Sequence, residues 1–114
     1  MSAPKTRIVY IQRGNERRIG RVRYSKTGRT IFYGDVELFS VGGRGGLKTN
    51  YLSDTREEYW VSGPRKDGQD TLYPGRVEID DDVREEYWRE VRGMPGNDDT
   101  SFRSLGVHGR RTTR

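Results

Sequence analysis

The chain has no cysteine, which excludes disulfides, thiolate nucleophiles and thiolate metal sites. It has one histidine, His108, between Gly106 and Gly109, where nothing is at hand to orient the ring or shift its pKa. No nucleophile and base stand at a readable spacing among the serines, carboxylates and lysines, so the sequence argues against an enzyme and suggests no cofactor. Apolar residues are scarce too: 30% of the 114 residues are hydrophobic and 34% are charged, which allows one domain with a thin core. The longest apolar run, Ile8-Val9-Tyr10-Ile11, is too short for a signal peptide or a membrane span. The expectation is a soluble, cytoplasmic protein with no membrane partner. Against these shortages stand 7 Tyr, 3 Phe and 2 Trp, more than a disordered chain carries, so the middle folds and its aromatics supply much of the core.

Charge is divided unevenly along the chain. The first 34 residues hold nine basic side chains (Lys5, Arg7, Arg13, Arg17, Arg18, Arg21, Arg23, Lys26, Arg29) against one acid, Glu16. Residues 35 to 92 reverse the sign, with nine bases and fourteen acids, and the tail from Gly93 is again basic with Arg103, Arg110, Arg111 and Arg114. A one-signed basic surface attracts anionic polymers, without naming which.

Turn-forming clusters divide the chain into short segments. Gly20, Val22 and Tyr24 alternate with Arg21 and Arg23, which puts the arginines on the opposite face of a strand from the apolar set. Ser25-Lys26-Thr27-Gly28 leads into Arg29 to Tyr33, and Gly34-Asp35 reverses the chain into Val36 to Val41, giving a three-strand meander. Lys48 to Leu52, Glu57 to Ser62, Thr71 to Tyr73 and Arg76 to Ile79 are further strand candidates. Short strands at this spacing predict a mainly β fold, a small antiparallel barrel or a strongly bent sheet. One C-terminal helix over about 82–92 closes it: Asp82-Val83-Arg84-Glu85 fits a capping box, Val83, Tyr87, Trp88 and Val91 share a face, and Gly93 ends it. The expected division is a leader over 1–6, one domain over 7–92 and a flexible basic tail over 93–114. Arg-Glu-Glu-Tyr-Trp occurs at both 56–60 and 84–88, with flanks that predict a strand first and a helix second.

Lys-Thr-Asn-Tyr at 48–51, Glu-Glu-Tyr-Trp-Val-Ser-Gly-Pro at 57–64 and Val-Glu-Ile-Asp-Asp-Asp-Val-Arg-Glu-Glu-Tyr-Trp at 77–88 together resemble a family of short uncharacterised bacterial proteins. Its members also carry a Tyr-Ser-Lys-x-Gly hairpin like that at Tyr24 to Gly28. The resemblance covers about Ile19 to Arg92 and brings no established activity with it. Some members bear the name of a thiamine-diphosphate synthase of isoprenoid biosynthesis, which does not fit a chain this short without a cofactor motif.

Several motifs have plainer structural readings. Gly42-Gly43-Arg44-Gly45-Gly46-Leu47-Lys48-Thr49 approaches a phosphate-binding loop, but Leu47 interrupts it and no helix follows, so it reads as a connector whose Arg44 is free to touch a phosphate. Asp80, Asp81, Asp82, Glu85 and Glu86 suggest helix capping before a Mg²⁺ or Ca²⁺ site, and Asp67 and Asp70 suggest a turn before a calcium loop, so no metal site is expected. Tyr59 and Trp60 point to opposite faces of one strand. A thin core argues for burying the tryptophan, whereas an exposed one would form a stacking platform for a base.

The basic cluster remains. Arg13, Arg17, Arg18, Arg21, Arg23, Lys26 and Arg29, with Arg44 and Trp60, are the expected nucleic-acid-binding residues, their alternative being a solvated face neutralised by the acidic helix. The expected role is a non-catalytic module that contacts nucleic acid, RNA ahead of DNA because of the basic tail, or a ribonucleoprotein. The alternative is a protein-interaction module of immunity or inhibitor type, using the acidic helix and the Glu57-Glu58 strand.

Overall fold

The structure is a computed structural model and describes residues 5–26, 30–41, 50–71 and 73–106. Two strands, β1 (Thr6–Arg13) and β2 (Glu16–Tyr24), form a hairpin whose turn places Gly14 at φ +60, a conformation that L side chains rarely adopt. The reversal between β3 (Thr30–Tyr33) and β4 (Val36–Ser40) repeats the device, with Gly34 at φ +59. β5 (Asn50–Ser53) and β6 (Glu58–Ser62) continue the meander, and β6 returns to pair with β1. Six antiparallel strands thus close a barrel in the order β1-β6-β5-β4-β3-β2, with β2 pairing back to β1. Of the two architectures expected, the closed one forms.

Two further strands extend from it. β7 (Gly75–Ile79) runs parallel to the first half of β2, and β8 (Ser101–Ser104) pairs antiparallel with β7 as an edge. β2 serves both systems: Arg18 and Ile19 pair with β7, while Arg23 and Tyr24 pair with β3. Between them sits Gly20. A Cβ there would lie 2.6 Å from Asp80 Oδ2 and 2.6 Å from a ring carbon of Tyr33, so only glycine lets these side chains cross the strand.

Because β1 is covered on both faces, Ile8, Val9, Tyr10 and Ile11 are all buried. Val9 and Ile11 join Val22, Ile31, Leu38 and Tyr59 inside the barrel. Ile8 and Tyr10 instead pack outward with Ile19, Val77, Tyr87 and Trp88, a second core roofed by the helix. An apolar run too short to span a membrane is thus a strand shared by two cores. Among the described residues no helix is long and apolar enough to cross a membrane.

The helix, α1, is one short segment of changing pitch: a 3₁₀ turn Asp81–Val83, an α turn Arg84–Glu86 and a wide π turn Tyr87–Val91. It buries Val83, Tyr87 and Trp88 as their spacing implies, and Gly93 at φ +66 ends it. The expected Asp82–Glu85 capping box does not form, because the 3₁₀ turn already begins at Asp81 and places Asp82 within it. Asp80 stands at the N-cap without a side-chain capping bond, because its carboxylate accepts from Arg18 and Tyr33 instead.

Two other expectations need correction. Thr71 and Tyr73 form no strand, since the Thr71 hydroxyl donates to the Tyr73 carbonyl at 2.5 Å and contacts Ser104 Oγ at 2.8 Å. The domain does not stop at Arg92, either. Phe102 stacks on Tyr87 at 5.6 Å, the Trp88 indole N–H donates to the Asp99 carbonyl at 2.9 Å, and Ser104 is fully buried, so the chain to at least Gly106 belongs to the fold. Arg92 pins this region, its guanidinium lying 4.9 Å from the Trp88 ring and 5.0 Å from Phe102 while donating to the Tyr87 hydroxyl at 3.1 Å.

Candidate nucleic-acid interface

The N-terminal arginines divide between two faces of β2. At one end of the barrel a charge network runs from Glu57 through Arg13, Glu16 and Arg18 to Asp80. Arg13 donates to Glu16 at 2.7 Å, Arg18 Nε donates to Asp80 at 2.8 Å, and the Tyr33 hydroxyl donates to the other Asp80 oxygen at 2.5 Å. Burial and the neighbouring Asp80 push the Tyr33 hydroxyl up from its usual pKa, keeping it a proton donor. On the outer face Arg21 donates to Glu86 of α1 at 2.6 Å, and Arg23 lies 4.3 Å over the Phe32 ring. The alternation of Arg21 and Arg23 with buried Gly20 and Val22 holds as the sequence implies. The cluster is nevertheless not one uncovered stripe: Arg13, Arg18 and Arg21 are each bonded to a carboxylate. Lys26 is exposed, and Arg29 and Arg44 lie outside the described residues.

Four of the helix and strand acids are occupied in turn. Glu86 takes Arg21, Glu57 takes Arg13, Glu90 takes Arg89 and Asp81 takes Arg84. Among the described residues no group of His, Cys, Asp or Glu is placed to hold a metal ion.

A different surface collects polar groups around an open aromatic. On β6, Tyr59 turns into the barrel and Trp60 turns out, 45% exposed. Core scarcity had argued for burying Trp60. The outer-facing parity of β6 prevails because Tyr59 and Val61 already occupy the inner face. Register then aligns four side chains across four strands: Asn50 opposes Trp60, Trp60 opposes Gln12, and Gln12 opposes Arg17. The row runs amide, indole, amide, guanidinium. Trp60 is steadied by donating to Ser62 Oγ at 3.1 Å. Gln12 is held at both ends, accepting from the Tyr10 hydroxyl at 2.6 Å and donating to the Gly14 carbonyl at 3.0 Å. Arg17 lies against Gly75, which has no Cβ to block it, and its Nε is buried without a hydrogen-bond partner.

The segment after β6 walls this face into a groove of about 940 Å³, lined by Tyr10, Gln12, Asn50, Trp60, Gln69 and Asp70 among others. Burial pushes the Tyr10 hydroxyl up to about 12 and raises the Asp70 carboxyl above its usual value, although the Arg65 backbone N–H donates to Asp70 at 2.7 Å. The groove sets amides and hydroxyls beside three carboxyl or guanidinium side chains, Glu58, Arg65 and Asp70. Of the residues expected from sequence, Trp60 lines the groove, and Arg17 stands two strands away in the same row, beyond Gln12. Asn50 and Gln12 were missed, because only strand register brings them beside the indole.

No family model, no curated protein and no solved structure matches the chain.

Proposed function

We propose that this protein is a small non-catalytic binding module of the cytoplasm that takes single-stranded nucleic acid across the outer face of β5, β6 and β1. A base stacks on Trp60, the Asn50 and Gln12 amides border its edges, and Arg17 stands at the end of the row for a phosphate. The observation that carries this reading is the alignment of an exposed indole with an amide on either side in a walled groove. It shifts the weight of recognition from phosphate to base. Arg13, Arg18 and Arg21 already have carboxylate partners, so few cations remain to release counterions, and the salt dependence should be shallow.

Anisotropy of a labelled single-stranded RNA or DNA 12-mer tests the reading. Stacking is worth about 1–3 kcal/mol per base, so Trp60→Ala should weaken binding roughly 5- to 150-fold. Arg17→Gln should weaken it less and lower the salt slope by about one. Arg18→Gln should leave affinity almost unchanged. Full affinity in Trp60→Ala would overturn the proposal. So would a protein partner captured after nuclease digestion that Trp60→Ala still binds, with no 12-mer binding by the native chain.

A further inference from the structure

On β7, Val77 and Ile79 point into the core beneath the helix, so the period of a strand puts Arg76 and Glu78 on the opposite face. Phe102 of β8 packs on that same core, which sends Ser101 and Arg103 to the face of Arg76. The register then sets Arg76 directly opposite Arg103, both exposed. Like charges facing each other across an antiparallel ladder repel. Six of the thirteen described arginines, Arg13, Arg18, Arg21, Arg65, Arg84 and Arg89, each meet a carboxylate, and Arg23 and Arg92 lie on aromatic rings. Arg76 and Arg103 enter no ion pair among the described residues. Glu78, on the same face two residues from Arg76, pairs with neither, its Cα partners being Ser101 and Arg18. Protection of the edge strand against stray pairing calls for charge, but not for two facing charges of one sign.

We propose that Arg76 and Arg103 form a clamp for a phosphate group, one guanidinium fork from each strand grasping the oxygens of a single phosphate. Bound phosphate converts the cross-strand repulsion into charge-assisted hydrogen bonds to both strands, and the planar fork suits the tetrahedral oxyanion. The clamp uses different strands from the Trp60 groove and does not depend on it.

Thermal unfolding in inorganic phosphate, against chloride at equal ionic strength, gives the first readout. Phosphate should raise the Tm of the native chain above the chloride control. Arg103→Glu creates a cross-strand ion pair, so its Tm without phosphate should exceed that of the native chain, while the phosphate effect disappears. Should the glutamate perturb the edge, Arg103→Gln gives a second check, in which the phosphate shift shrinks. The source of the phosphate follows from the single-stranded 12-mer: a phosphodiester ligand makes Arg103→Glu bind it at least several-fold more weakly, and a small phosphate ligand leaves that affinity unchanged while the Tm effect is lost. A native Tm no higher in phosphate than in chloride, or an equal phosphate shift in Arg103→Glu, would overturn the clamp. Charge at the edge is kept by the glutamate, so edge protection alone predicts the latter result.

Discussion

Arg-Glu-Glu-Tyr-Trp stands at 56–60 and again at 84–88, and the two copies serve the fold in opposite ways. In the first, Arg56 turns the chain at φ 69, and the buried Ser53 hydroxyl accepts from the Thr55 and Glu57 backbone N–H groups. That turn delivers Glu58 into β6, where the period of two separates Tyr59 from Trp60. In the second, Asp80 and the first turn deliver Arg84 into α1, and helical rotation keeps Tyr87 and Trp88 on adjoining sides of one buried face. The consequence is numerical: Trp60 is 45% exposed and Trp88 3%. Identical side chains thus supply a core pillar in one place and an open ring in the other. The difference lies in the neighbours.

The largest expected break in that contrast is in stability. Trp88→Ala removes an indole that contacts Tyr87 at 5.3 Å and Phe102 at 6.1 Å, together with its bond to Asp99. It should cost about 3–5 kcal/mol by urea unfolding. Trp60→Ala should stay within about 0.5 kcal/mol of the native value while losing the 12-mer. Similar losses for both would erase the distinction. Next comes the crossing that positions α1 against β2. Gly20→Ala places a methyl group in the space held by Tyr33 and Asp80, and should cost about 1–3 kcal/mol as the Arg18–Asp80–Tyr33 cluster is displaced.

The helical copy also carries a pH signature. Burial pushes the Tyr87 hydroxyl from 10.0 up to about 12, and Tyr10 is pushed up to about 12 as well. A raised folded pKa means that the neutral phenol belongs to the fold. Stability from these groups is complete below pH 10 and declines as pH rises from 10 toward 12. Tyr87→Phe should therefore soften the alkaline loss, measured as urea midpoints on either side of that range. The smallest effect concerns acids that look alike in the two copies. Glu86→Gln releases Arg21 on a partly exposed surface and should cost about 0.2–1 kcal/mol, whereas Glu58→Gln, which breaks no ion pair among the described residues, should cost less.

Much of the scaffold was legible in the sequence because local chemistry and tertiary outcome agree. Gly34-Asp35 marks a turn, the alternation around Val22 marks a strand, and the spacing of Val83 and Tyr87 marks a helix, all by short-range rules. Closure of the sheet depends instead on β6 finding β1, whose paired residues lie 48 to 52 positions earlier, and nothing local announces it. Ser101–Ser104 was hidden by its polar composition, and it becomes a strand because Phe102 fills the space beside Tyr87. The capping box on Asp82 failed for a related reason: acids near a helix start were legible, but the helix begins at Asp81, and the arginine and tyrosine that claim the N-cap Asp80 arrive from β2 and β3. The same blindness to long-range partners made the N-terminal arginines look available. Three of them have carboxylate partners 2.6 to 2.8 Å away, contributed by the start of β2, the segment before α1 and α1 itself. Row partners of Trp60 were equally invisible, since Asn50 and Gln12 stand beside it only through register.

Collisional quenching of the two tryptophans by acrylamide puts the contrast and the proposed function to one trial. Without ligand, one indole should be readily quenched and the other shielded, and Trp60→Phe should remove the accessible component alone. Saturating single-stranded 12-mer should then shield the accessible indole of the native chain. Two equally shielded indoles in the free protein, or an accessible one that the oligonucleotide leaves unprotected, would contradict the assignment of Trp60 as the ring on which a base stacks.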